Sequence, residues 1–389
     1  MTFLHGIKVN EPLTGATLAL TALSAVIGIV ATSTDANAAV FPLNKPALIT
    51  DVNSAIGDAG ATGTLAKTLR EIANHGSPIV IVVRVAPGVA GAGKTAQEAT
   101  DENVVGTREN GAYTGLQALL AAEGQVGVRP RIIGCPGLDS ETVAGAIAIV
   151  AKKLRGFAYV QCVGENVGAA LLYRDKFSAR ELMGVWPEWT GGIAGTWSGK
   201  AVAIALGLRA AIDEETGWHK SLSNVPVAGV TGMSKDVHFD LQDMSTDAGL
   251  LNAGHVTTLV NMNGHRFWGN RTFSEEPQFA FEVAVRTSQA IQDEIAKALA
   301  RFIDKPMTKG LVVDIVETVN ASLRQWVSEN RLVGGFCWYD PAANQEAALA
   351  AGRLVIDYDF TPCAPLEGLE LNQRITDKYY AGFADNIAA

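Results

Sequence analysis

Charged residues make up only 18% of the 389 residues, aromatics 7%, and there are just four cysteines and six histidines. Each scarcity removes a class of protein. Cys135, Cys162, Cys337 and Cys363 are far apart, form no C-x-x-C and have no histidine at metal-ligand spacing. Neither a zinc site nor a disulfide framework is expected, and the thiols read as reduced. His255 and His265 stand ten apart, which is not metal-pair spacing. The net charge of −9 argues against nucleic acid as the main partner, because phosphate contacts need a basic face. No apolar run is long enough for membrane insertion. Leu18–Ala31 is interrupted by Thr21 and Ser24, and upstream of it Lys8 is offset by Glu11. Ala36-Asn37-Ala38 imitates a leader cleavage site, but with those flanks Val26–Val30 reads as a buried strand.

What is abundant is apolar sequence, 48% of the chain, enough for sizeable cores in two or three domains. So few charges suit a surface largely covered by partners. Gly88-Val89-Ala90-Gly91-Ala92-Gly93-Lys94-Thr95 matches the phosphate-loop pattern G-x-x-x-x-G-K-[ST] and follows the strand candidate Ile79–Val85. The pattern works only if a helix starts at the Thr and packs on the sheet. Ala96–Asn103 has no large apolar side chain, so a flexible loop is expected instead. The Walker-B-like Leu311–Asp314 has helical spacing, with Leu311, Ile315, Val319 and Leu323 every fourth residue. Gly134-Cys135-Pro136-Gly137 is not the dinucleotide fingerprint G-x-G-x-x-G, which argues against an oxidoreductase.

The middle of the chain reads as α/β. A helix near Leu65–Ala73 precedes the strand Ile79–Val85. The strand Arg131–Cys135, a helix capped by Ser140 with Val143, Ile147, Val150 and Leu154 on one stripe, and the strand Phe157–Val163 form a βαβ unit with parallel pairing. A strand at Glu181–Val185 and an Ala-rich helix at Gly199–Ala211 follow, and 217–234 looks like connection. Beyond residue 245 the expected order is strand Val256–Val260, strand Phe279–Arg286 and a helix with Ile291, Ile295, Leu299 and Phe302. A second helix through Trp326 ends near Gly334-Gly335, and the strands Phe336–Tyr339 and Leu354–Phe360 close the series. Their aromatics are most simply core. Both ends of the chain have strand character without an adjacent partner: Phe3, Ile7 and Val9 share one face, as do Leu369, Leu371 and Ile375. Such arms either pair within their own subunit or exchange between subunits.

Asn263–Thr272 combines Gly, Asn, Arg and two adjacent aromatics without any catalytic constellation. It suits a tight turn anchored by a ring beside a strand. With Ser24–Val30, Pro46–Thr50, Thr114–Leu120, Arg129–Gly137, Gly229–Gly232, Leu250–Asn252 and Val285–Thr287, this order of segments resembles the contractile tail sheath proteins of myoviruses, of the P2-like and R-type pyocin kind. Trp268-Gly269-Asn270-Arg271-Thr272 is the most specific of them.

The resemblance implies an α/β fold (α+β overall), with an N-terminal arm over 1–23 and an outer α/β domain over 24–245. An inner, tube-proximal sheath domain over 246–364 and a C-terminal arm over 365–389 follow. It implies a structural subunit, not an enzyme, with no cofactor, that stacks as six-fold rings around a tail tube and contracts. The arms would add strands to neighbours, with Phe3, Ile7, Val9, Leu369, Leu371 and Ile375 as contacts. A tube-facing helix would lie within 285–330. Tail tube, baseplate and tail-terminator proteins are the implied partners, in a virion tail or pyocin-like particle assembled in the bacterial cytoplasm. Trp268 and Arg271 would brace the inner domain rather than touch a ligand, and the family gives Lys94 no role.

Overall fold

The computed structural model describes residues 23–382, apart from positions 92 and 193. Ile27–Thr32 (β1) is buried at every residue, as a strand with neighbours on both edges and layers on both faces must be. Ala47–Ile49 (β2), helix Leu65–Ala73 (α1), Val80–Val85 (β3) and helix Ala96–Val105 (α2) follow. The expected βαβ unit is Ile132–Gly134 (β4), Glu141–Leu154 (α3) and Phe157–Gln161 (β5). Helix Val167–Arg174 (α4), Leu182–Val185 (β6), helix Lys200–Glu215 (α5), helix Asp247–Ala253 (α6), Val256–Asn261 (β7) and His265–Trp268 (β8) complete one sheet of order β8-β7-β6-β5-β4-β1-β3-β2. The six inner strands run parallel, and an antiparallel strand closes each edge.

Parallel strands need cover on both faces, and alternation along β1 supplies it: Ile29 packs under α1 and α5 with Leu69, Ile72 and Leu206, while Val30 faces α3 with Val143 and Ile147. Gly28 sits where a Cβ would lie 2.6 Å from the Pro130 side chain, so the chain before β4 can cross close to β1. A third core lies beyond the sheet. Helices Glu282–Leu299 (α7) and Lys309–Ser328 (α8) pack with the hairpin Leu332–Trp338 (β9) and Asp357–Pro362 (β10) through Ile291, Ile295, Leu323, Trp326 and Cys337. Trp218, from the segment after α5, is buried in the same core.

The two parts are also joined by buried charges. Arg209 and Asp213 of α5, Glu282 and Arg286 of α7, and Tyr159 of β5 are all buried. Arg209 pairs with Asp213 and lies 3.2 Å from Glu282, Arg286 pairs with Asp213, and the Tyr159 hydroxyl donates to Glu282. Burial alone would make Arg209 easier to deprotonate, but Asp213 and Glu282 outweigh it and hold the guanidinium charged.

A second buried carboxylate, Glu188, caps α5 by accepting from the Gly199 and Ala201 amides. Burial pushes its pKa up to about 7. The folded state therefore keeps a proton that the unfolded chain releases, so this group's contribution to stability falls as pH rises from the ordinary carboxylate range to about 7. We expect the drop in Tm between about pH 5 and about pH 8 to be smaller in Glu188→Gln than in the natural chain.

Four expectations need correction. Phe279–Arg286 is not a strand: Pro277–Phe279 is a 3-10 turn and α7 starts at Glu282. Val283, Val285, Arg286 and Thr287 are buried on every side, and a short apolar run of that kind carries no period to tell strand from helix. The second helix stops at Ser328, with Asn330 at φ 58°, and Gly334-Gly335 lies within β9 beside a register shift. Gly335 has a close-approach role there, since a Cβ would sit 3.0 Å from Asp359 O. The boundary drawn at 245/246 falls inside the sheet, which β7 and β8 continue. Finally, residues 96–105 do form a helix.

Candidate inter-subunit surface

The Trp268–Thr272 segment lies where the sheet edge passes into the C-terminal helices. Trp268 ends β8 and meets the Phe239 ring edge-on at 5.1 Å. Gly269 adopts φ 141°, and a Cβ there would stand 2.8 Å from Thr257 Cα, so only glycine lets the chain turn against β7. The Asn270 carbonyl accepts from the Glu282 amide at 2.9 Å, and the Thr272 amide donates to Ala280 O at 2.8 Å. The Thr272 hydroxyl donates to Phe279 O at 2.8 Å. These bonds fix the turn that launches α7.

Arg271 does something the sequence did not reveal. Its guanidinium lies over the Phe281 ring and grips Glu367 of the C-terminal segment with two bonds, 2.8 Å from Nε and 2.5 Å from Nη2. No local spacing signals a partner 96 residues away. Because the pair is partly exposed, Arg271→Ala should change unfolding free energy by less than about 1 kcal/mol. It should nevertheless speed limited proteolysis after residue 363 severalfold; unchanged cleavage would remove the anchor role.

Beyond that anchor, Leu369, Leu371 and Ile375 are 70%, 83% and 98% exposed and belong to no strand. Their period-two pattern offers an apolar face, but a strand needs a backbone partner, and among the described residues none lies alongside. Phe3, Ile7 and Val9 lie outside the described residues.

The nearest such partner in kind is the β9–β10 hairpin, which is a two-stranded sheet on its own. Asn320 of α8 bonds both the amide and the carbonyl of Cys337, capping part of the free edge of β9. Cys337 therefore points its backbone away from β10. By the antiparallel alternation its opposite number Tyr358, and Phe360 two residues on, turn theirs outward along β10. No strand covers that edge among the described residues. On the outward face Phe336 and Trp338 stack at 6.2 Å and stand 60% and 37% exposed, so these two aromatics are not core.

The Gly88–Thr95 segment has the strand–loop–helix setting of a phosphate loop, but the Gly88, Gly91, Lys94 and Thr95 amides are used internally. The Gly91 and Lys94 amides bond each other's carbonyls, and the Gly88 amide donates to Thr100 Oγ1 at 2.9 Å. Thr95 caps α2 in a reciprocal capping box with Glu98, which also takes the hydroxyl. Lys94 pairs with Glu102 of the same helix. The capping chemistry, rather than an apolar stripe, is what starts this helix. Leu311–Asp314 lies within α8.

A sheet-centred body, a fixed helical module, a hairpin with an open edge and an apolar trailing segment together define an assembly-type structural protein. The phage tail sheath protein central domain matches residues 111–273 and the phage tail sheath C-terminal domain matches 274–376. The chain belongs to the contractile phage tail sheath family, whose members are structural subunits rather than enzymes. It is 48% identical to the tail sheath protein of Escherichia phage P2 over 388 residues, covering 98% of each chain. It is 44% identical to the major tail sheath protein of Serratia phage KSP20, with the same coverage. The helical sheath of the anti-feeding prophage in its contracted state shares the fold at TM-score 0.70 and 18% identity, over 97% of this chain and all of that one.

Proposed function

We propose that this chain polymerises as stacked six-membered rings around a tail tube and contracts to drive the tube through a host envelope. Terminal arms link the subunits by strand addition. The observation that carries the reading is the pairing of an open β10 edge with the exposed apolar set Leu369, Leu371 and Ile375 on a segment anchored at Glu367. An added strand gains affinity from its backbone bonds and register from alternate side chains. Phe3, Ile7 and Val9 form the corresponding set on the other arm. Residues 1–23 and 365–389 act as tethers that keep neighbours connected while the rigid bodies rotate and slide. Contraction passes a metastable lattice to a tighter one.

In this arrangement the sheet-centred unit faces outward and the α7–α8 module lies toward the tube. The exposed charges of α8, among them Asp314, Glu317 and Arg324, are available for weak pairing with it. Tube, baseplate and tail-terminator proteins complete the partners, and the particle is a virion tail or pyocin-like body assembled in the bacterial cytoplasm. Negative-stain microscopy of the concentrated chain with its tube protein tests the reading. Striated sheath or polysheath is expected; a subunit that stays monomeric with the tube protein present refutes it.

A further inference from the structure

We propose that the cleft between the sheet and α7 is an oxyanion site, built to take a carboxylate or a phosphate. The cleft has a volume of about 210 Å³ and runs from Ser24, just ahead of β1, past α7 to Arg331 at the start of the hairpin. Four guanidiniums line it, those of Arg131, Arg155, Arg286 and Arg331, against two carboxylates, Asp293 and Glu294.

Arg286 is already paired with Asp213, and the other three share their carboxylates unevenly. Asp293 alone serves both Arg131 and Arg155, the latter at 2.9 Å through Nε. Arg131 spends another nitrogen on the Leu154 carbonyl. Arg331 lies 4.8 Å over the Trp218 ring and meets Glu329 at 2.9 Å, again through Nε. Among the described residues the terminal nitrogens of Arg155 and Arg331 make no hydrogen bond, leaving two forks of the geometry that grips an oxyanion in pairs. Behind the wall, among the described residues, Arg286 Nε, Trp218 Nε1 and the Ser24 hydroxyl are buried without a partner. Each such orphan is costly unless an acceptor reaches it. A group with several acceptor oxygens and a negative charge suits the open forks, and Trp218 with Ala290 offers apolar wall for a short stem. Burial, with smaller contributions from the nearby Arg129 and Arg155, makes Arg131 easier to deprotonate, down to about 10, against the pull of Asp293.

Two sources can supply the oxyanion: free phosphate, or an Asp or Glu side chain of a second copy of this chain, whose net charge is −9. The test uses the full chain and the double variant Arg155→Gln, Arg331→Gln. Both side chains are partly exposed, so folding should survive. In the first arm, which does not depend on assembly, Tm is measured in phosphate and in chloride at equal ionic strength. With phosphate at about twenty times a millimolar Kd, the natural chain should gain about 2–4 °C and the variant nothing. In the second arm, which rests on the sheath reading, the salt concentration that dissociates half of the assembled sheath is compared. Engagement of a neighbour's carboxylate lowers that midpoint at least twofold in the variant, and Arg331→Lys, which keeps the charge without the fork, restores it only partly. A variant-sensitive phosphate shift assigns the site to free oxyanions. A lowered midpoint without that shift assigns it to the second copy. A phosphate response equal in both chains, together with equal midpoints, overturns the site.

Discussion

Removing residues 1–12 should abolish ordered sheath while leaving a folded subunit. Among the described residues the sheet begins at Ile27, downstream of the deleted stretch. The paired strands β1 to β8 and the buried charges all lie downstream of the deleted residues in the chain. What it removes is Phe3, Ile7 and Val9, the apolar set proposed above as the N-terminal arm's contacts. A backbone-paired tether is lost as a unit, so assembly should fall to background rather than decline in proportion. Circular dichroism and a Tm within about 2 °C of the natural chain would establish folding, since surface changes away from packed features stay within about 0.5 kcal/mol. Microscopy would then show no tubes. Intact, ordered tubes from the deleted chain would refute the arm mechanism, whatever the family membership.

The largest effect on stability is expected from Glu282→Ala. Glu282 is fully buried, receives the Tyr159 hydroxyl and lies 3.2 Å from Arg209. Its loss leaves Arg209 to share Asp213 with Arg286, so one buried guanidinium is left without its own counter-charge. Breaking one partner out of a buried pair typically costs about 3–5 kcal/mol, because the remaining charge stays desolvated. In urea the midpoint should fall accordingly at nearly constant slope. Glu282→Gln, which keeps an acceptor for Tyr159 but not the charge, should fall between the two. A loss below about 1 kcal/mol in the alanine variant would mean that the apolar contacts of α7, not the charges, hold the helices to the sheet.

The α/β half of the chain was legible because its signals are local. Ser140 does cap α3 by accepting from the Val143 amide, and Val143, Ile147, Val150 and Leu154 face inward as their spacing required. The apolar runs that became β1, β3 and β5 are buried because a parallel sheet covers both faces. Where period failed, so did the reading. The first turn of α7 is buried on every side, so Phe279–Arg286 looked like a strand. The helix α2 is held by the Thr95–Glu98 capping box and has little apolar face to announce it. Phe336 and Trp338 looked like core because aromatic content says nothing about which side of a hairpin is covered.

The surface proposed for assembly is only half visible in the sequence. The alternation of Leu369, Leu371 and Ile375 suggests a strand, whereas the structure leaves these residues exposed and in no strand. The Arg271–Glu367 anchor and the Asn320 cap on β9 join residues far apart in the chain, so no window of sequence contains them. The sequence reading places Trp268 and Arg271 as braces of the inner domain. The segment's bonds run to the turn before α7, and Arg271 reaches on to Glu367 in the C-terminal segment.

A near-atomic reconstruction of the assembled sheath tests the central claim most directly. The account predicts that a strand from a neighbouring subunit runs along β10, hydrogen-bonded to Tyr358 and Phe360, with alternate apolar residues of a terminal arm facing the helical module. A sheath in which that edge stays open, with both arms folded back on their own subunits, would contradict it.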